Sequence, residues 1–146
     1  MSKPYKFSRI GYVYVPTSRI DASIQWYTDN LEFTLINKFE DRGSNLAVLH
    51  HPHQHSIALL LIETESPNRL EILRNGNPFP IMAINCPNIE YTHEMLRNKG
   101  VEVEDLMTLG NGEAKYFYFR DPEGNLLEGA WSKWDPVDEY KDEFGR

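Results

Sequence analysis

Tyr118-Phe119-Arg120-Asp121-Pro122-Glu123-Gly124-Asn125-Leu126-Leu127-Glu128 reads as two strands meeting at a tight turn. Pro122 and Gly124 stand where a type I turn with a bulge wants them. Working outward, Leu126–Trp131 is the returning strand, Lys115–Phe119 the outgoing one, and Val101–Leu106 a further strand before them. Upstream, Asn88 can cap a helix carrying Ile89, Tyr91, Met95 and Leu96, which Gly100 closes. Pro80–Cys86, a short apolar strand ended by Pro87, opens the unit. Its order is strand, helix and three strands.

The same order is legible in the first 66 residues. Arg9-Ile10-Gly11-Tyr12-Val13-Tyr14-Val15 alternates with a period of two and is rich in β-branched and aromatic residues, so it reads as a strand. Thr17 and Ser18 offer N-cap oxygens, with Asp21 three residues after Ser18 in a capping-box pattern. Ile20, Ile24, Tyr27 and Leu31 then recur at helical spacing. Phe33–Phe39, Ser44–His50 and Ile57–Ile62 read as three strands. An offset of 69 residues lays Ile20 on Ile89 and Tyr12 on Ile81, although matched letters are few and the repeat rests on the order of elements. A segment rich in Ser, Pro, Asn and Gly joins the halves.

The expected fold is therefore α+β, with two βαβββ modules in one domain. Module one spans about 8–66, the linker 67–78, module two about 79–134 and a C-terminal tail 135–146. Each four-stranded sheet with a helix on one face leaves a second face to cover. The expectation is a curved eight-stranded, partly open barrel-like sheet around one cavity.

Composition narrows the function classes. The 146 residues carry a net charge of −7, against the basic face that nucleic acid requires. No apolar run reaches the ~20 residues of a membrane span, and Met1–Lys6 lacks the apolar core of a signal peptide. The single Cys86 cannot form an internal disulfide, which makes the cytoplasm the expected compartment.

The closing hairpin Tyr118–Glu128, together with Ser23-Ile24-Gln25-Trp26-Tyr27 and Leu31-Glu32-Phe33, resembles the vicinal oxygen chelate superfamily over about Ser8 to Trp134. That group holds glyoxalase I, bleomycin-resistance proteins, fosfomycin-resistance transferases and extradiol dioxygenases. The resemblance implies a cup-shaped cavity and a homodimer. It also implies four metal-ligand places, in the first and last strand of each module, which fall here on Tyr12, about Ala58 (or a neighbour such as Leu59 or Leu60), Ile81 and Glu128. Only Glu128 keeps a ligand identity, and one carboxylate with a phenol does not hold a divalent ion firmly. The expectation is no cofactor and no metal.

Glu128 shares a strand face with Leu126 and Ala130. It reads either as a general base or ligand acceptor, or as a carboxylate satisfied by Tyr12 and water. Tyr12, Tyr14, Tyr116 and Tyr118 could stack on a planar ligand, although core packing explains any single ring as well. Alternation sends Tyr116 and Tyr118 to one face and Phe117 and Phe119 to the other. His50, His51, His53 and His55 suggest a transition-metal site, but Pro52 breaks the geometry and they read as a surface hairpin tip. His93 reads as a solvated helical residue and Cys86 as a buried thiol. Trp134, Tyr140 and Phe144 in the tail could cover an edge or embrace a second subunit. Three functions remain in view: binding of a small planar or amphiphilic molecule, a lyase, isomerase or dioxygenase using Glu128, and a partner-binding protein with a vestigial cavity.

Overall fold

Strand β1 (Tyr12–Thr17) and strand β4 (Ala58–Glu63) pair in parallel, with helix α1 (Ile20–Leu31) in the crossover between them. Strands β2 (Thr34–Asp41) and β3 (Ser44–His50) complete an antiparallel edge, giving the order β1-β4-β3-β2. This computed structural model describes residues 6–53 and 56–135. After a short hairpin, β5 (Ile72–Arg74) and β6 (Asn77–Phe79), the plan repeats. Strand β7 (Met82–Asn85), helix α2 (Ile89–Asn98) and strands β8 (Met107–Leu109), β9 (Ala114–Arg120) and β10 (Leu126–Ser132) form a second sheet, β7-β10-β9-β8. The eight module strands thus lie in two separate four-stranded sheets, not closed into a barrel.

Side-chain alternation explains the layering. Val15, Ala47, Leu49, Leu59 and Leu61 are buried on the face that α1 covers, and Phe117, Phe119 and Leu127 occupy the matching face under α2. These two helix-covered faces share one core: Trp26 of α1 lies 6.3 Å from the ring of Phe119, and Tyr27 meets Phe33 edge-on. Gly129 of β10 sits opposite Phe117, whose ring occupies the space a Cβ would need.

The turn after β9 clasps the two modules. Asp121 accepts hydrogen bonds through Oδ1 from the backbone N–H of Glu123 and Asn125, and through Oδ2 from Tyr27 Oη at 2.6 Å and Asn125 Nδ2 at 2.8 Å. The carboxylate of Glu123 accepts from the backbone N–H and hydroxyl of Ser18. Burial, and then the Asp121 carboxylate, hold the Tyr27 phenol well above its usual range, so it remains a donor.

Several local expectations need correction. Ser18 does not cap α1: its polar atoms serve Glu123, Thr17 shares a hydrogen bond with Ser23, and Arg19 stands at the N-cap without a side-chain bond. Asn88 does cap α2, accepting from the backbone N–H of Tyr91. The strand expected at Val101–Leu106 is reduced to one bridge at Val103, and β8 begins at Met107. His93 is buried, not solvated, because it packs edge-on against Phe117 and its Nε2 bonds the carbonyl of Glu104. Tyr140, Phe144 and His55 lie outside the described residues.

Candidate ligand-binding face

The helix-free faces of both sheets carry the candidate residues. On the first sheet, pairing sets Tyr12 beside Ala58 and Tyr14 beside Leu60, with Val48 across from Leu60. Tyr12 and Tyr14 are 59% and 56% exposed, although both begin a strand whose next apolar residues are core. On the second sheet, Glu128 stands between Ala83 and Tyr118, and Tyr116 lies beside Ala130. The Tyr116 and Tyr118 rings lie 5.2 Å apart at a tilt of 38°. Phe117 and Phe119 point the other way, into the core, as alternation requires.

Strand pairing also relates the fourth position to Glu128. The offset that lays Tyr12 on Ile81 lays Tyr14 on Ala83, and Ala83 neighbours Glu128 while Tyr14 neighbours Leu60. In this register Leu60, one of the neighbours named with Ala58, stands at the place corresponding to Glu128. The four places hold a phenol, two alkyl chains and one carboxylate. That donor set does not fit a divalent ion. Among the described residues no group of three or more His, Cys, Asp or Glu converges.

Glu128 makes no hydrogen bond or ion pair among the described residues, and Tyr12 does not reach it. Burial alone raises its carboxyl above the ordinary range. Burial is also the first cause that raises the Tyr118 phenol, followed by the Glu128 charge. A carboxyl with a raised folded-state pKa binds its proton more tightly in the folded chain, so its contribution to stability falls as pH rises through that range. Glu128→Gln is thus expected to raise the melting temperature slightly at neutral pH and leave it unchanged near about pH 4. The effect is small because water reaches much of the side chain; thermal unfolding across pH checks it, and destabilisation at neutral pH would oppose it.

Of the histidine cluster, read from the sequence as a surface hairpin tip, His51 packs against the first module. His51 stacks on Phe33 at 3.8 Å between ring centroids, and its Nε2 lies 2.8 Å from the carbonyl of Leu31. A carbonyl only accepts, so Nε2 carries the proton and Nδ1 keeps the lone pair. Burial lowers the His51 pKa and favours the neutral ring. His51 is thus half-buried, its ring closing the strand end over α1. Cys86 is buried, and burial pushes its thiol up to about 12.

A cation on the hairpin between the modules escaped the reading of the sequence. Hairpin β5–β6 carries Arg74, whose guanidinium lies 5.4 Å from the Phe79 ring centroid and whose charge works, as a lesser cause, against the burial that raises the Tyr118 phenol. The available signal was Asn75-Gly76, a dipeptide suited to a two-residue hairpin turn; both residues have positive φ, 52° and 79°.

The family model for the Glyoxalase/Bleomycin resistance protein/Dioxygenase superfamily matches residues 9–128. The chain belongs to this superfamily. Solved structures share the fold. The antibiotic-binding protein TnmS3 from Streptomyces sp. CB03234 superposes with a TM-score of 0.69 at 16% identity, covering 89% of this chain and 100% of that one. The fosfomycin resistance protein FosX from Listeria monocytogenes gives 0.68 at 14% identity, covering 91% and 98%. A glyoxalase family protein from Enterococcus faecalis gives 0.65 at 21% identity, covering 86% and 98%. No curated protein matches the chain. At these identities the likeness is one of fold, and the superfamily fold alone does not assign a reaction.

Proposed function

We propose that the chain binds a small planar or amphiphilic molecule on the helix-free aromatic face, without a metal, as a cytoplasmic homodimer. The observation that carries this is Glu128, a partly desolvated carboxylate without a protein partner beside the Tyr116–Tyr118 pair. A group left costly in the folded chain is characteristic of a site kept for a ligand. The alkyl and phenol side chains at the other three positions support a metal-free site.

A second copy completes the cavity. Within one chain the modules join through their helix-covered faces, and among the described residues no hydrogen bond or ring contact links Tyr12 or Tyr14 to Tyr116, Tyr118 or Glu128. Exposed Tyr12, Tyr14, Met107 and Leu109 leave apolar surface for a partner and a ligand to cover. The antibiotic binding of TnmS3 supports this reading by analogy of fold. Among the described residues no helix is long and apolar enough to cross a membrane.

Titration with the uncharged fluorophore phenylnaphthylamine tests the proposal. Saturable binding is expected, and Tyr118→Ala should weaken it about tenfold, the loss of roughly 1.4 kcal/mol of stacking. Sedimentation should give a dimer that Tyr14→Glu dissociates. Binding indifferent to Tyr118, or a monomer that binds as well, would overturn it. One observation favours a second, enzymatic reading: an unpaired carboxyl of raised pKa is suited to take a proton from a bound substrate. Under that reading Glu128→Gln abolishes turnover while retaining ligand.

A further inference from the structure

Strand register lays six side chains in two rows across the helix-free face of the second sheet. Ala83, Glu128 and Tyr118 form one row, and Asn85, Ala130 and Tyr116 the next. The neighbours of Glu128 on β7 and along β10 are thus alanines, too short to cover its half-buried carboxylate. The tilted Tyr116–Tyr118 pair stands on its other side. Glu128 carries the only formal charge of the six. The lysines at this sheet serve other acids: Lys115 of β9 pairs with Glu90 at 2.6 Å, and Lys133, just past β10, with Glu113 at 2.7 Å. Of the charged groups acting on Tyr118, Glu128 comes first, and the lesser Arg74 and Glu104 oppose each other in sign.

We infer that this face selects ligands carrying a positively charged nitrogen, a protonated amine or a ring ammonium, seated against Glu128 and the Tyr116–Tyr118 pair. The inference deepens the binding role proposed above and rests on it. A carboxylate drawn partly out of water without a protein partner is best compensated by an opposite charge. Where that charge carries an N–H, a charge-assisted hydrogen bond is added. The faces of tyrosine rings are themselves negative and attract cations. Carboxylate and ring pair therefore favour the same sign of ligand. A neutral planar molecule keeps the stacking and lacks the ionic contact, and an anion meets repulsion from Glu128.

Acridine, uncharged at neutral pH, and the quaternary cation methylacridinium share one planar scaffold and isolate the charge. The wild-type chain is expected to bind the cation about three- to tenfold more tightly, the range of one partly exposed ionic contact beside aromatic rings. Added salt should shrink that preference. The isosteric Glu128→Gln should erase it. Glu94→Gln removes the same charge from an exposed position on α2, across the sheet, and should retain it. Equal binding of the two dyes by the wild type, or a preference that survives Glu128→Gln, overturns the inference and leaves the binding role intact. A preference that Glu94→Gln abolishes as fully would be an effect of net charge and overturns it likewise. Failure of both dyes to bind the wild type overturns the binding role and this inference together.

Discussion

Asp121→Ala is expected to lower the melting temperature by about 10–15 °C. The substitution strands four donors at once: the phenol of Tyr27, the amide of Asn125 and the backbone N–H groups of Glu123 and Asn125. Asp121 is 6% exposed and Asn125 0%, so little water replaces the lost bonds. Leaving buried donors unpaired costs ~1–3 kcal/mol each where no rearrangement helps, and shared relaxation brings the total to about 3–5 kcal/mol. For a chain of this size that corresponds to the stated shift. Tyr27→Phe removes one donor from a carboxylate that keeps three, and about 1–2 kcal/mol is expected. Calorimetry on the two variants checks both the size and the order. A fall of only a degree or two for Asp121→Ala would show that the turn is not a clasp.

Gly129→Ala carries the other large effect. A Cβ there would stand 2.5 Å from both Cε1 and Cζ of Phe117, closer than real carbon contacts allow. Phe117 is fully buried and packed against His93 and Phe119, so the ring has nowhere to retreat. Overpacking of this kind costs about 1–3 kcal/mol. The cause is testable by pairing the substitution with Phe117→Leu: the double variant should be more stable than the sum of the two single losses predicts, by about 1 kcal/mol. Strict additivity in denaturant unfolding would place the strain elsewhere.

Most of the fold was legible because it rests on local signals. The alternation in Arg9–Val15, the apolar stripe from Ile20 to Leu31 and the turn at Asp121–Asn125 each act through residues near in sequence, and the structure places strand, helix and turn there. What failed depended on distant partners. Ser18 had every attribute of an N-cap, yet a carboxylate 105 residues away claims its donors. His93 carried no sign of burial, because the Phe117 ring and Glu104 carbonyl that enclose it come from other elements. The face assignments of Tyr116, Tyr118 and Glu128 were open in the sequence, since alternation gives two sets and not which set the helix covers. Tyr12 and Glu128 looked like partners because both fall on superfamily ligand positions, but no hydrogen bond joins them among the described residues. Arg74 was hidden by composition: a segment read as a linker from its Ser, Pro, Asn and Gly contains a hairpin.

The clasp at Asp121–Asn125 also bears on the order in which the chain acquires its structure. Its contacts with Ser18, Tyr27 and Pro16 close loops of 105, 94 and 109 residues. Such distant closures come late and slowly. During synthesis the first module waits, with its helix start and strand end unsecured, until the Asp121–Asn125 turn has left the ribosome. Although the halves look like two copies of one design, neither is self-sufficient, and a chain stopped before Asp121 is expected to lose its cooperative unfolding transition. The duplicated plan therefore matures as one unit, its first helix secured only by its last turn.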